Sequence, residues 1–386
     1  MSSKVIVEKS AFAESLSIVG RAVASSPHLQ ILANILITSE GGQLRLAATN
    51  LTLGVSTWMD ARLDGQIALT LPAKTLTDIV NSLADSEVQF SVNGKPEATL
   101  KSGTFKGVVR GTEASEFPPL PEHDVSEGVS LPASLLREMI QGTAFAAASD
   151  EARPVLEGVQ ISFEGNTLSM AATDGFRLAI KRATLPSAVT KKQVIIPASS
   201  LKEVVRVLSA TKPEQVRLYI PPTGSQVVLR TENVQLVSQL IDGRFPDYQV
   251  IVPKGYKTRT VIATTDLLKA CKQAGIIARE GGNVIQMRLT PGVDQTGKVT
   301  VLAESGDTGE SEVELPATVT GPELTIAFNV KFLQDGLEAI RTQNVVIETN
   351  SHKTPAVIRP AGREASPTGE EEDYQYILMP MHVDGK

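Results

Sequence analysis

Three short stretches of this chain occur twice in the same order, and that repetition limits its possible folds more than any other feature. Ala171-Ala172-Thr173-Asp174 echoes Ala47-Ala48-Thr49-Asn50, Ile196-Pro197-Ala198 echoes Leu71-Pro72-Ala73, and Phe245-Pro246 echoes Phe117-Pro118. The spacing is roughly 125 residues, so each repeat is a whole domain rather than one turn of a solenoid. A chain of 386 residues is too long for one ordinary core, and the repeat divides it into domains at 1–124, 125–253 and 254–386.

Hydrophobic periodicity gives each unit the same run of elements. In the first, a strand at 4–8 precedes an amphipathic helix over 10–23. Strands follow at 31–39, 43–48, 53–63 and 65–71, then a helix opened by Pro72 and strands across 87–110. The second has a strand at 128–131, a helix from Pro132 to 147 and a strand at 156–163. A turn at Gly165-Asn166 and a strand to Ala172 lead to a tight Asp174-Gly175 hairpin. A strand at 194–196, a helix from Pro197 to 209 and strands over 215–240 complete it. The third is looser: a strand at 260–263, a helix capped by Thr265 to 278, and strands at 284–290, 298–303, 310–315 and 323–328. A helix over 329–342, strands within 344–359 and a last strand at 376–382 follow an otherwise polar course. Two helices and a meander of alternating strands per unit make an α+β class, with helices on one face of an antiparallel sheet.

Composition excludes several functions. Net charge is −6 and aromatics are 4%, which argues against coating nucleic acid by overall charge or stacking bases along a single strand. No apolar run approaches the about 18 residues of a membrane span, and Met1 to Ser10 has no apolar leader. A lone Cys271 makes no internal disulfide, and together these features place the protein in the cytoplasm. The four histidines show no ligand spacing, and no phosphate loop or nucleophile elbow occurs, so neither a metal, a cofactor nor a catalytic residue is assigned.

The six helices carry nine basic residues, Arg21, Lys74, Arg137, Lys202, Arg206, Lys269, Lys272, Lys331 and Arg341, against seven acids. On charge alone these are ordinary solvated faces with i,i+4 pairs. Geometry adds a second reading. Three alike units whose edge strands continue one sheet can close into a ring, helices inside and sheets outside. Such a ring holds duplex DNA by phosphate attraction without reading sequence.

Thr173-Asp174-Gly175-Phe176-Arg177-Leu178, Gly243-Arg244-Phe245-Pro246-Asp247-Tyr248, Phe328-Asn329-Val330 and Met379-Pro380-Met381, in this order and spacing, resemble the bacterial beta sliding clamps. The resemblance spans the chain. It implies three tandem domains of the DNA clamp fold, a head-to-tail homodimer around double-stranded DNA, and no catalytic activity. The implied partners are the DNA polymerase III alpha subunit, the clamp loader, and other polymerases and repair proteins. These dock short linear motifs into a pocket between the second and third domains. That pocket comprises Thr173, Gly175, Phe176, Arg177 and Leu178 from the hairpin, Leu156 as floor on the preceding strand, and Arg153. Pro246, Val250 and Ile251, Asn329 and Phe332, and Ile377, Met379 and Met381 on the terminal strand complete it. Arg177 is expected to orient the partner. The implied dimer pairs a basic edge (Lys101, Phe105, Lys106, Val109, Arg110) with Glu310, Glu312, Glu314 and the helix end Ile276-Ile277.

The chain departs from the family at the turn Ser25-Ser26-Pro27-His28-Leu29-Gln30, which lacks a familiar DNA-contacting arginine. It departs again at the acidic Ser149-Asp150-Glu151, at Phe176 where some clamps have histidine, and in the tail His382 to Lys386. Three alternatives stay open: an enzyme using Asp174 with Arg177 or a metal at Asp307 and Glu310, a structural repeat protein that never encloses DNA, and a clamp of other stoichiometry.

Overall fold

The computed structural model describes residues 3–24, 28–121, 123–150, 153–222, 224–293, 296–306, 308–362 and 374–382. Ser25 to Pro27, Glu151, Asp307, most of the acidic 361–373 loop and Val383 to Lys386 lie outside the described residues.

Among the described residues six α-helices form: Lys9–Val19 (α1), Ala73–Ser82 (α2), Ala133–Thr143 (α3), Ala198–Thr211 (α4), Thr264–Ala278 (α5) and Val330–Ala339 (α6). The prolines expected to open helices instead end the strands before them. Pro72, Pro132 and Pro197 are each the last residue of a strand, and the helix starts one residue later. Thr265 is not a cap: α5 begins at Thr264, whose Oγ1 donates to Thr342 O. Residues 31–33 and 156–157, read as strand, sit in 3-10 turns Gln30–Ala33 and Pro154–Glu157. At Gly165-Asn166 the strand Gly158–Thr173 runs on, with register shifts on either side of Gly165, whose φ is +57°.

Contacts gather the chain into two compact units, residues 1–137 with 199–241, and 138–198 with 242–386. This grouping cuts through the expected second domain because sheets cross the expected boundaries. In the first unit, Leu53–Asp60 pairs with Val234–Gln239, making one nine-stranded antiparallel sheet beside a five-stranded one. In the second, Arg177–Pro197 pairs with Tyr374–Leu378 inside a ten-stranded sheet.

Alternation buries one face of many strands, while Gln43–Thr49, Leu53–Asp60 and Val234–Gln239 at the middle of their sheet are buried on both. In the first unit Phe12 and Leu16 of α1 pack on the sheet with Ile35, Ile37, Leu44 and Leu46, and Phe12 stacks on Phe90 at 5.8 Å. In the second, Phe163, Phe328, Leu333 and Tyr376 are fully buried. Gly336 explains itself here. A Cβ at this position would lie 2.3 Å from the Tyr376 ring, so only glycine lets α6 sit down on the sheet. Cys271 is buried, which pushes its thiol pKa up to about 12 and leaves it inert. No helix among the described residues is long and apolar enough to cross a membrane, and no described cluster of three or more His, Cys, Asp or Glu could hold a metal.

Candidate protein-binding site

The hairpin at 173–178 is built by its own side chains. Thr173 Oγ1 donates to Arg177 O at 2.6 Å and accepts from Gly175 N at 3.0 Å. Asp174 Oδ1 accepts from Phe176 N and Arg177 N, at 2.9 and 3.0 Å. Gly175 has φ +93°, a left-handed value that strains any residue with a Cβ. The turn therefore presents Phe176 outward, 61% exposed, on a fixed backbone.

Arg177 points the other way. Its side chain is 9% exposed. Nε donates to Asp174 Oδ2 at 2.9 Å, Nη1 to Asp335 Oδ2 at 2.5 Å and Nη2 to Phe145 O at 2.9 Å. The guanidinium also lies 4.3 Å from the centre of the Phe332 ring and 5.6 Å from that of Phe145. Burial opposes its charge, but the Asp335 hydrogen bond and the nearby carboxylates outweigh burial, so its pKa rises. Arg177 is thus a buried clip joining the hairpin to α6. Tyr376, whose phenol pKa burial raises, donates its proton to Phe332 O at 2.8 Å and ties the last strand to the same helix.

That strand ends at Leu378, so Met379 and Met381 lie beyond it, correcting their expected place. Each still keeps a main-chain bond: Met379 N donates to Phe176 O at 2.9 Å, and Met381 N to Ala327 O at 2.8 Å. Met379 is 40% exposed beside the turn. On the other flank Arg153 is exposed, its Nη1 3.1 Å from where a Cβ on Gly175 would stand.

The structure brings together Gly175, Phe176, Met379 and Arg153 at the surface, with Arg177 and Phe332 beneath. Several other assigned residues lie beneath this surface or serve the turn itself. Leu178 and Ile377 pair with each other and are buried in the sheet beneath the turn. Leu156 is buried but belongs to a 3-10 turn rather than a strand. Thr173 is buried and engaged within the turn, and the Asn329 side chain caps α6, accepting from Lys331 N and Phe332 N. Pro246, Val250 and Ile251 are exposed, Val250 at 77%, on the segment that follows Gly243, itself packed against Val155.

The edge residues divide similarly. Phe105–Arg110 is the last strand of the five-stranded sheet, with Lys106 and Arg110 exposed. Val109 is buried in the core. Val108, 56% exposed, is the apolar side chain on the outer face, one residue from the expected position. Strand Gly309–Thr320 pairs along one side with Thr296–Ser305. On its other side only Thr318–Thr320 find Arg259–Val261, so the stretch with exposed Glu310, Glu312 and Glu314 keeps an open edge. Lys101 is exposed, as is Ile276, while Ile277 is half-buried.

Of the nine cations expected on helices, Arg21 lies in the 3-10 turn Gly20–Ala22 after α1 and Arg341 lies two residues past the end of α6; Arg137 is half-buried and the other eight are exposed. Glu203 sits between Arg206 and Arg21, 3.7 Å from the latter, and Glu338 holds Lys272 at 2.7 Å. Arg341 donates to Gln141 Oε1 at 3.1 Å. A separate cavity of about 320 Å³ in the first unit, beside Trp58 and His123, contains none of the assigned residues. Trp58 there is stacked with Arg230 at 4.0 Å and Arg45 at 5.4 Å.

Comparison with known proteins covers the chain end to end. Residues 3–121 match the N-terminal domain of the DNA polymerase III beta subunit, 130–247 its central domain and 249–382 its C-terminal domain. The beta sliding clamp of Synechococcus elongatus is 34% identical over 98% of this chain and 99% of its own. Among solved structures, the DNA polymerase III beta subunit of Thermotoga maritima superposes with a TM-score of 0.88 at 27% identity, covering 99% of this chain and 100% of that one. A sliding clamp from Bartonella birtlesii bound to griselimycin gives 0.90 at 28%, with the same coverage.

Proposed function

The chain belongs to the family of DNA polymerase III beta subunits, the beta sliding clamps, which are non-catalytic processivity subunits of the polymerase. We propose that it acts in the cytoplasm as a head-to-tail homodimer, a ring of three domains per chain around duplex DNA. In this reading it tethers the polymerase alpha subunit, the clamp loader, and other polymerases and repair proteins by their linear motifs. The observation that carries the reading is the unbroken match of all three family domains in order. Physical features support it.

Two strand edges stand open, one basic and one acidic, and an open edge is a template for pairing with another chain. Phe105–Arg110 offers Lys106, Arg110 and Val108; the other edge offers Glu310, Glu312 and Glu314. Opposite charge on unlike edges favours the head-to-tail pairing over a like-with-like one. The helix cations are partly neutralised by Glu203 and Glu338, which suits a lining that attracts phosphates without gripping them. Phe176 and Met379, adjacent and exposed, give an adaptable apolar surface for leucine and phenylalanine anchors.

The test of enclosure is topological. After loading onto nicked circular DNA the protein stays bound, and it slides off once the circle is linearised. Equal retention on both forms contradicts the reading.

A further inference from the structure

We infer that Asp335 is a positioning residue for the peptide surface, acting through Arg177 and the hairpin rather than on the bound partner. The inference rests on reading Phe176 and Met379 as peptide anchors. Phe176 stands largely in solvent and Met379 is 40% exposed, so packing alone does not hold the pair. What fixes them is backbone, and that backbone is fixed by a continuous polar chain. Asp335 Oδ2 accepts from Arg177 Nη1 at 2.5 Å, and Arg177 Nε donates to Asp174 Oδ2 at 2.9 Å. Asp174 Oδ1 receives the main-chain N–H of Phe176 and of Arg177, and Phe176 O receives Met379 N. Five hydrogen bonds make up the chain; four have ordinary lengths, the Arg177–Asp335 bond is shorter, and four of the five have a charged member, the stronger kind.

The arrangement is asymmetric. Arg177 is 9% exposed and Asp335 is 43% exposed, so the acid lies at the open end of the chain and the arginine at its buried centre. Phe332, one turn earlier on α6, lies against the guanidinium, so helix and hairpin are joined by charge and by packing together. Removing the Asp335 charge leaves a mostly buried guanidinium with Asp174 as its remaining carboxylate. The turn then samples more conformations, and a peptide must order it on binding.

The experiment uses the full-length protein and a short peptide bearing leucine and phenylalanine anchors. Asp335→Asn weakens peptide binding about tenfold, within the usual span of coupling between groups, and Asp335→Glu recovers most of the loss. In an Arg177→Gln background, Asp335→Asn has no further effect. Should Arg177→Gln lower stability too far, Arg177→Met, which keeps the apolar stem but neither the charge nor the donors, supplies the background. Independently of peptide, hydrogen exchange at the Met379 amide speeds up in Asp335→Asn. Additive losses in the double variant, or unchanged Met379 exchange, overturn the inference. Met379→Ala is the control for the site itself: if it binds peptide like the unaltered protein, the peptide-site reading fails, while the exchange result still judges the positioning role.

Discussion

Two turns in this molecule share one hydrogen-bond diagram and differ in what they carry. In Thr49-Asn50-Leu51-Thr52-Leu53, Thr49 Oγ1 donates to Leu53 O and accepts from Leu51 N, while Asn50 Oδ1 accepts from Thr52 N and Leu53 N. In Thr173-Asp174-Gly175-Phe176-Arg177 the same atoms make the same four bonds. Leu51, like Gly175, has positive φ, +74°. Beyond the turn, Gln239 N donates to Thr52 O as Met379 N donates to Phe176 O. The difference is in the side chains. Thr52 stands for Phe176, buried Leu53 for Arg177 and Gln239 for Met379, and Leu120 packs over Gly54 beside the first turn. A duplicated scaffold is therefore not a duplicated site. A few substitutions turn a structural corner into a surface with exposed apolar anchors and a buried ionic clip.

The comparison can be broken at several points, and the effects fall in size. Leu53→Ala opens a cavity in the first unit and costs about 3 kcal/mol of stability by thermal or denaturant unfolding, with peptide affinity unchanged. Arg177→Ala at the matching position costs about 2 kcal/mol, discounted because Asp335 is partly exposed, and it weakens peptide binding by tenfold or more while leaving it measurable. Equal loss of affinity from both changes removes the distinction between the turns. The Asx positions come next. Asn50→Ala and Asp174→Ala each release two turn N–H groups, costing about 1 kcal/mol for the neutral acceptor and about 2 kcal/mol for the charged one. Calorimetry that ranks them in reverse denies Asp174 its extra bond to Arg177. The smallest effect has the opposite sign: Leu51→Gly relieves left-handed strain and gains about 1 kcal/mol, whereas Gly175→Ala loses a similar amount. A melting temperature unmoved by Leu51→Gly shows that its partly exposed side chain contributes as much as the strain costs.

Much of the fold was legible because it rests on local signals. The repeated Ala-Ala-Thr-Asx stretch marked both turns, and alternation placed nearly every strand. Faces were harder, since a one-residue slip moves a side chain from surface to core. Val109 is buried while Val108 beside it is exposed, and Leu178 pairs with Ile377 inside the sheet. The role of Arg177 was hidden for a different reason. Asp335 and Phe332 lie more than 150 residues away along the chain, and nothing local in either stretch announces that they meet. The same holds for Gly336, whose reason is the Tyr376 ring.

The central claim is that each chain has one peptide surface, on the second turn and not the first. Calorimetric titration of the leucine- and phenylalanine-bearing peptide into the intact protein tests it directly. One peptide per chain is expected, with binding lost in Phe176→Ala and Met379→Ala and kept in Thr52→Ala and Gln239→Ala. Two peptides per chain, or binding that survives both second-turn variants, contradicts it.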